Sequence, residues 1–150
     1  MEKNIKILVV DDDWTNRKLM SESIKKVSDW DEADDGMLGI QKFQSALEAG
    51  EKYDLVLLDI IMPDINGLEV VRLIRDIEGN FNTFGSAGVK IILCTSVDKT
   101  SSITDSLNKD CEGYLVKPIS KDALFSEMEK LGFSCQGHKI TNDPRTSLNI

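Results

Sequence analysis

Residues 53–67 read YDLVLLDIIMPDING, and this stretch decides the architecture. Its first six residues, 53–58, are almost wholly apolar and include no helix-period polar face, so they read as a buried strand that ends on Asp59. The loop IIMPDING follows, with Met62-Pro63-Asp64 and Asn66-Gly67 as turn chemistry. Asn66 can cap a helix whose apolar stripe is Val70, Leu73, Ile74 and Ile77. Strand, acidic end, loop, helix is therefore the unit to look for elsewhere.

The unit recurs. Upstream, NIKILVV (4–10) is a buried strand stopped by Asp11-Asp12-Asp13, and Met20, Ile24 and Val27 give an amphipathic helix over 15–28. Trp30–Ala33 is a short strand. Asp34-Asp35-Gly36 then supplies turn and cap chemistry for a helix with Ile40, Phe43 and Leu47, which Gly50 stops. Downstream, GNFNTFGSAG (79–88) is a surface loop, longer than most in compact domains, and it lacks the Gly-Lys-Ser/Thr of a phosphate-binding loop. VKIILC (89–94) is a fourth strand ending on Thr95-Ser96, followed by a polar helix with Ile103 and Leu107. GYLV (113–116) is a fifth, ending at Lys117-Pro118; Ser120 caps a fifth helix bearing Leu124, Phe125, Met128 and Leu131, which Gly132 ends. Five strands alternating with five helices call for a parallel sheet wound on both faces with right-handed crossovers. Residues 1–132 form this domain and 133–150 a polar, aperiodic tail, read as disordered or loosely docked.

Composition narrows the function. The chain has 150 residues, 41% hydrophobic and 29% charged, an ordinary globular balance. Its net charge of −8 argues against nucleic acid or an anionic membrane as the main partner. The N-terminal apolar run, Ile7 to Val10, is too short for a secretory signal or a membrane span, which places the protein in the cytosol. Three cysteines without a CxxC spacing give neither a disulfide framework nor a zinc site. Cys135 and the single histidine, His138, make two ligands where zinc needs four.

Charged and hydroxyl side chains stand at the C-terminal ends of strands one, three, four and five, the edge at which open α/β sheets bind ligands. Asp11, Asp12 and Asp59 fall together there. Two unit charges about 4 Å apart repel by roughly 4 kcal/mol at an effective dielectric near 20, so such a group needs a counter-charge. A hard divalent cation such as magnesium fits oxygen ligands and leaves positions open for phosphate. Asp59 could then serve as a nucleophile toward a phosphoryl group, with Lys117 and Thr95 as charge and hydrogen-bond partners of the transferred group. Each residue has an ordinary reading as well: Asp11 to Asp13 as helix caps, Asp59 as a turn residue, Thr95 bonded to backbone, Tyr114 as a strand aromatic, Lys117 as a solvated cation. Capping does not explain four strand ends with one chemistry in one register.

On these residues the chain resembles the receiver domain of two-component response regulators, from about Ile5 to Leu131. The resemblance implies a flavodoxin-like fold of strand order 2-1-3-4-5. It also implies Asp59 as phosphoacceptor, Asp12, Asp59 and the Ile61 backbone carbonyl as direct magnesium ligands, and Asp11 as a ligand through water. Thr95 and Tyr114 become the switch pair, and Lys117-Pro118 a cis bond. Asn66 departs from the usual Asp of the MPxxDG turn, and Ser96 from a smaller residue. The expected protein is a stand-alone, chemotaxis-regulator-like receiver. A sensor histidine kinase or phosphotransfer protein would phosphorylate it. Its output partner, or a second copy, would dock on the face made by helix four, strand five and helix five. Ile61 and Val97, both apolar, are expected to flank the phosphoryl group and slow its hydrolysis. Two rivals remain open: VVDDDWT fits the DxDxT pattern of haloacid-dehalogenase-like phosphatases, with Asp11 as nucleophile and Asp13 as acid/base, and a pseudo-receiver would bind partners without being phosphorylated.

Overall fold

A computed structural model describes residues 4–81, 88–96 and 110–135. Among the described residues there are five strands, β1 (Ile5–Val10), β2 (Ser28–Ala33), β3 (Leu55–Asp59), β4 (Lys90–Thr95) and β5 (Gly113–Val116), and four helices, α1 (Trp14–Ile24), α2 (Gly36–Glu48), α3 (Gly67–Asn80) and α4 (Lys121–Lys130). The helix expected around Ile103 and Leu107, most of the 79–88 loop, Val97, and residues 136–150 with His138 lie outside the described residues. Here α4 is the fifth helix of the sequence.

The sheet is parallel throughout and ordered β2-β1-β3-β4-β5, the order that the resemblance implies. Because side chains alternate across a strand, each central strand feeds two layers. Leu8, Val10, Val56 and Leu58 face α2 and α3, in a core with Phe43, Val70 and Ile74. Ile7, Val9, Leu55 and Leu57 face the other way, against Met20 and Ile24 of α1 and Leu124, Phe125 and Met128 of α4. Strands buried on both faces are what the uninterrupted apolar runs demand.

Helix starts follow the sequence closely. Asp13, Asp35, Asn66 and Ser120 each accept a hydrogen bond from a first-turn amide of the helix that follows. Gly50, with φ of 74°, takes the left-handed conformation just beyond α2. Several boundaries differ from expectation: β3 is Leu55–Asp59 rather than 53–58, and β4 is Lys90–Thr95 rather than 89–94. α1 ends at Ile24 rather than 28, and β2 begins at Ser28 rather than Trp30, because Ser28 already pairs with Ile5 in the sheet. The core also runs past 132: Phe133 packs on the layer of α1 and α4, and Cys135 is buried there.

Candidate functional site

Between β1 and β3 the strand order reverses, so the loops after these strands diverge and leave a crevice at their C-terminal ends. Asp11 follows β1 and Asp59 ends β3, which puts one carboxylate on each side of that crevice. Hydrophobic strands fix both: Val10 pairs with Leu58 and Asp59 with Cys94, all buried. Carboxylate oxygens of Asp11, Asp12 and Asp59 lie within 4.8 Å of one another; Asp11 and Asp59 are buried and Asp12 is exposed.

Lys117, one residue beyond β5, reaches into this group. Its Nζ stands 3.0 Å from Asp59 Oδ1 and 3.2 Å from Asp11 Oδ2. Its backbone amide donates to the Thr95 carbonyl at 2.7 Å, which anchors the stem of the lysine to the end of β4. The Lys117–Pro118 bond is cis, as the resemblance implies.

Burial, and then the charge of Asp11, push the Asp59 carboxyl up to about 6, against the pull of Lys117. For Lys117, burial opposes the ammonium, but the hydrogen bond to Asp59 and the two carboxylate charges outweigh it and hold the group above the ordinary lysine value. Among the described residues, one cation beside three acids leaves the site short of positive charge. Asp11 Oδ2 is buried and accepts no well-formed hydrogen bond, despite its ion pair with Lys117. A second, hard cation fits this donor set: all oxygens, two buried, one acceptor still without a hydrogen-bond donor.

The other expected residues fall around the same edge. Thr95 is buried at the end of β4, one residue past the partner of Asp59, and its hydroxyl donates to the Ser96 carbonyl at 3.3 Å. Ile61 is 55% exposed, two residues past Asp59. Tyr114, half-buried in β5, packs on the layer of α2 and α3. Asp13, the acid/base of the phosphatase alternative, is occupied elsewhere: its Oδ1 accepts from the Thr15 amide at 2.8 Å as the cap of α1.

Two contacts that shape the site go beyond the sequence reading, which has Asp64 only as a turn residue and assigns Arg17 nothing. Asp64 accepts from the Gly36 and Met37 amides at 3.1 and 2.9 Å, so the loop after Asp59 is pinned to the N-terminus of α2. Nothing local announces a contact spanning 28 residues. Arg17 donates to the Asp11 carbonyl at 2.7 Å. It had a signal: Arg17 and Ser21 stand at i and i+4 on the face of α1 that Met20 and Ile24 bury, where a charge requires a partner.

A doubly wound parallel domain of order β2-β1-β3-β4-β5, with an acidic trio and a lysine at its switch point, has the flavodoxin-like α/β fold. More narrowly, the chain belongs to the response regulator receiver domain family, whose sequence model matches residues 7–129. Chemotaxis protein CheY of Listeria monocytogenes is 29% identical over 129 residues, covering 84% of this chain and 97% of its own length. CheY of Halobacterium salinarum is 29% identical over 120 residues, covering 79% and 88%. Among solved structures, CheY4 of Vibrio cholerae superposes with a TM-score of 0.72 at 22% identity, over 86% of this chain and 99% of that one. A receiver domain protein of Clostridium thermocellum does so at 0.68 and 19%, over 97% and 99%. Receiver domains are signalling domains of two-component systems. No helix among the described residues is long and apolar enough to cross a membrane.

Proposed function

We propose that this receiver accepts a phosphoryl group on Asp59 from the phosphohistidine of a sensor histidine kinase or phosphotransfer protein, in a magnesium-dependent reaction in the cytosol. The observation that carries the reading is the single lysine shared by Asp59 and Asp11 beside Asp12 at the switch point. An Asp59 oxygen attacks the phosphorus while the bond from phosphorus to the histidine nitrogen breaks, and the imidazole leaves with the bonding pair. With its carboxyl near 6, Asp59 is mostly ionised at neutral pH and so in its nucleophilic form. Burial keeps bulk water away from the reacting oxygen. Lys117, held by the end of β4, offers its ammonium to the charge that the incoming group adds. Asp12, Asp59 and the Ile61 carbonyl would hold magnesium directly, with Asp11 through water; the bound ion would neutralise oxygens of the transferred group.

Output follows from a two-state equilibrium. Thr95, at the site edge, and Tyr114, in the strand next to it, are the switch pair. Their change is read on the face of the helix expected before β5, β5 itself and α4, where a downstream protein or a second copy docks. Any self-dephosphorylation is slow. In phosphotransfer from a phosphorylated histidine kinase, the wild-type chain is expected to be labelled and Asp59→Asn not; equal labelling of both contradicts the reading. Amide chemical shifts of β5 and α4 that do not respond to beryllofluoride with magnesium would contradict the proposed output face.

A further inference from the structure

Asp11 is held at almost every polar atom. Its amide donates to the Ala33 carbonyl at 3.1 Å, its Oδ1 accepts from the Asp13 amide at 2.9 Å, and its carbonyl accepts from Arg17 Nη1 at 2.7 Å. Only Oδ2 remains, and it faces Lys117. The Arg17 side chain is 13% exposed, and the guanidinium is itself fixed by Glu32 of β2, Nε to Oε1 at 3.3 Å. Glu32 in turn accepts from the Trp30 indole at 3.2 Å and the Ser21 hydroxyl at 2.8 Å. These donors outweigh the cost of burial and keep Glu32 below the usual carboxylate range. Ser21 Oγ also lies 2.8 Å from the Arg17 backbone carbonyl, so its one proton is shared between that carbonyl and Glu32.

We infer that Arg17, braced by Glu32, Ser21 and Trp30, is a positioning residue for the acidic site: it sets the backbone after β1 so that Asp11 Oδ2 and the Asp12 carboxylate converge on the cation. Among the described residues the Arg17 side chain has no hydrogen bond or ion pair with Asp59 or Asp12, and it reaches the site through the Asp11 carbonyl. The inference rests on the magnesium reading above. Its value lies in a sign. Arg17 is a cation next to an acidic pocket, so its field alone disfavours a second cation, and removing it would tighten magnesium binding. Its role as a brace predicts the reverse, because outer partners that orient metal-holding groups typically carry about tenfold or more in affinity.

The test is calorimetric titration of the full chain with magnesium alone, with circular dichroism to confirm folding of each variant. Arg17→Gln is expected to bind magnesium about tenfold more weakly than wild type. Ser21→Ala, which changes no charge, is expected to weaken binding in the same direction, and Arg17→Gln/Ser21→Ala no more than Arg17→Gln by itself. Unchanged or tighter binding by folded Arg17→Gln overturns the inference; if that variant does not fold, unchanged binding by Ser21→Ala does so. A wild-type chain that binds no magnesium overturns the metal reading, and this inference with it.

Discussion

Lys117 Nζ stands 3.0 Å from Asp59 Oδ1, a contact between the end of the fifth strand and the end of the third. The same nitrogen is 3.2 Å from Asp11. One cation thus answers two buried acids, and its removal leaves both carboxylates without a counter-charge among the described residues. Removing one partner of a buried pair typically costs about 3 kcal/mol, reduced here because the lysine is 22% exposed. Lys117→Met is therefore expected to lose about 2 kcal/mol in urea unfolding at pH 7 and to recover part of it at pH 5, where Asp59 is protonated. A variant equally stable at both values relative to wild type would show that the lysine is not the counter-charge.

Metal-free wild-type protein carries a pH signature of its own. The Asp59 carboxyl is raised to about 6, first by burial and then by Asp11, whereas in an unfolded chain it titrates near 4. Between these values the folded state binds more protons than the unfolded one, so stability falls as pH rises from about 4 to about 6. Two pH units correspond to roughly 2 to 3 kcal/mol as an upper bound. In EDTA, Asp59→Asn is expected to lose that component of the slope and to be the more stable protein at pH 7. An identical slope in both proteins would contradict the shift.

Gly67 opens α3 directly beneath the site. A Cβ there would stand 2.5 Å from the Asp59 carbonyl oxygen and 2.7 Å from Ile60 Cα, both backbone atoms that no rotamer change can move. The Gly67 amide also donates to the Ile60 carbonyl at 2.8 Å, so the close approach is part of the turn. Gly67→Ala is expected to cost about 2 to 3 kcal/mol by chemical denaturation and to shift the Asp59 amide resonance. A wild-type midpoint would mean that α3 can draw back freely.

Ile61, half exposed two residues past Asp59, offers no hydrogen bond to a water aligned for attack on the phosphorylated residue. Once phosphorylated, Ile61→Asn is expected to decay about tenfold faster than wild type, roughly 1.4 kcal/mol of barrier. Equal decay in excess magnesium would place control of the lifetime elsewhere.

What the sequence made legible follows from how local each signal is. Asp59 and Lys117 stand where apolar runs stop, and Asn66 and Ser120 stand before helical stripes, so a window of a few residues suffices. β2 was harder. SDWDEA is an edge strand with only two apolar side chains, Trp30 toward one layer and Ala33 toward the other, and its first two residues look like a helix end until Ser28 is paired with Ile5. The buried charges were least legible. Glu78, four residues past Ile74 of the apolar stripe, is buried and accepts from the Val89 amide at 2.6 Å and from Arg75 at 2.8 Å, tying the two ends of the long loop together. Arg75 is only three residues from Glu78 on the same helix, but Val89 lies across the loop, and only the folded chain brings it to the carboxylate.

The central claim is that Asp59, and not Asp11, takes the phosphoryl group with a metal ion in place. Intact-mass and peptide mapping after incubation with a small-molecule phosphodonor tests it directly, with magnesium and with EDTA. The account predicts a single phosphoryl adduct on the peptide carrying Asp59, present with magnesium and absent with EDTA or in Asp59→Asn. An adduct on Asp11, or one that forms on Asp59 equally well in EDTA, would contradict it.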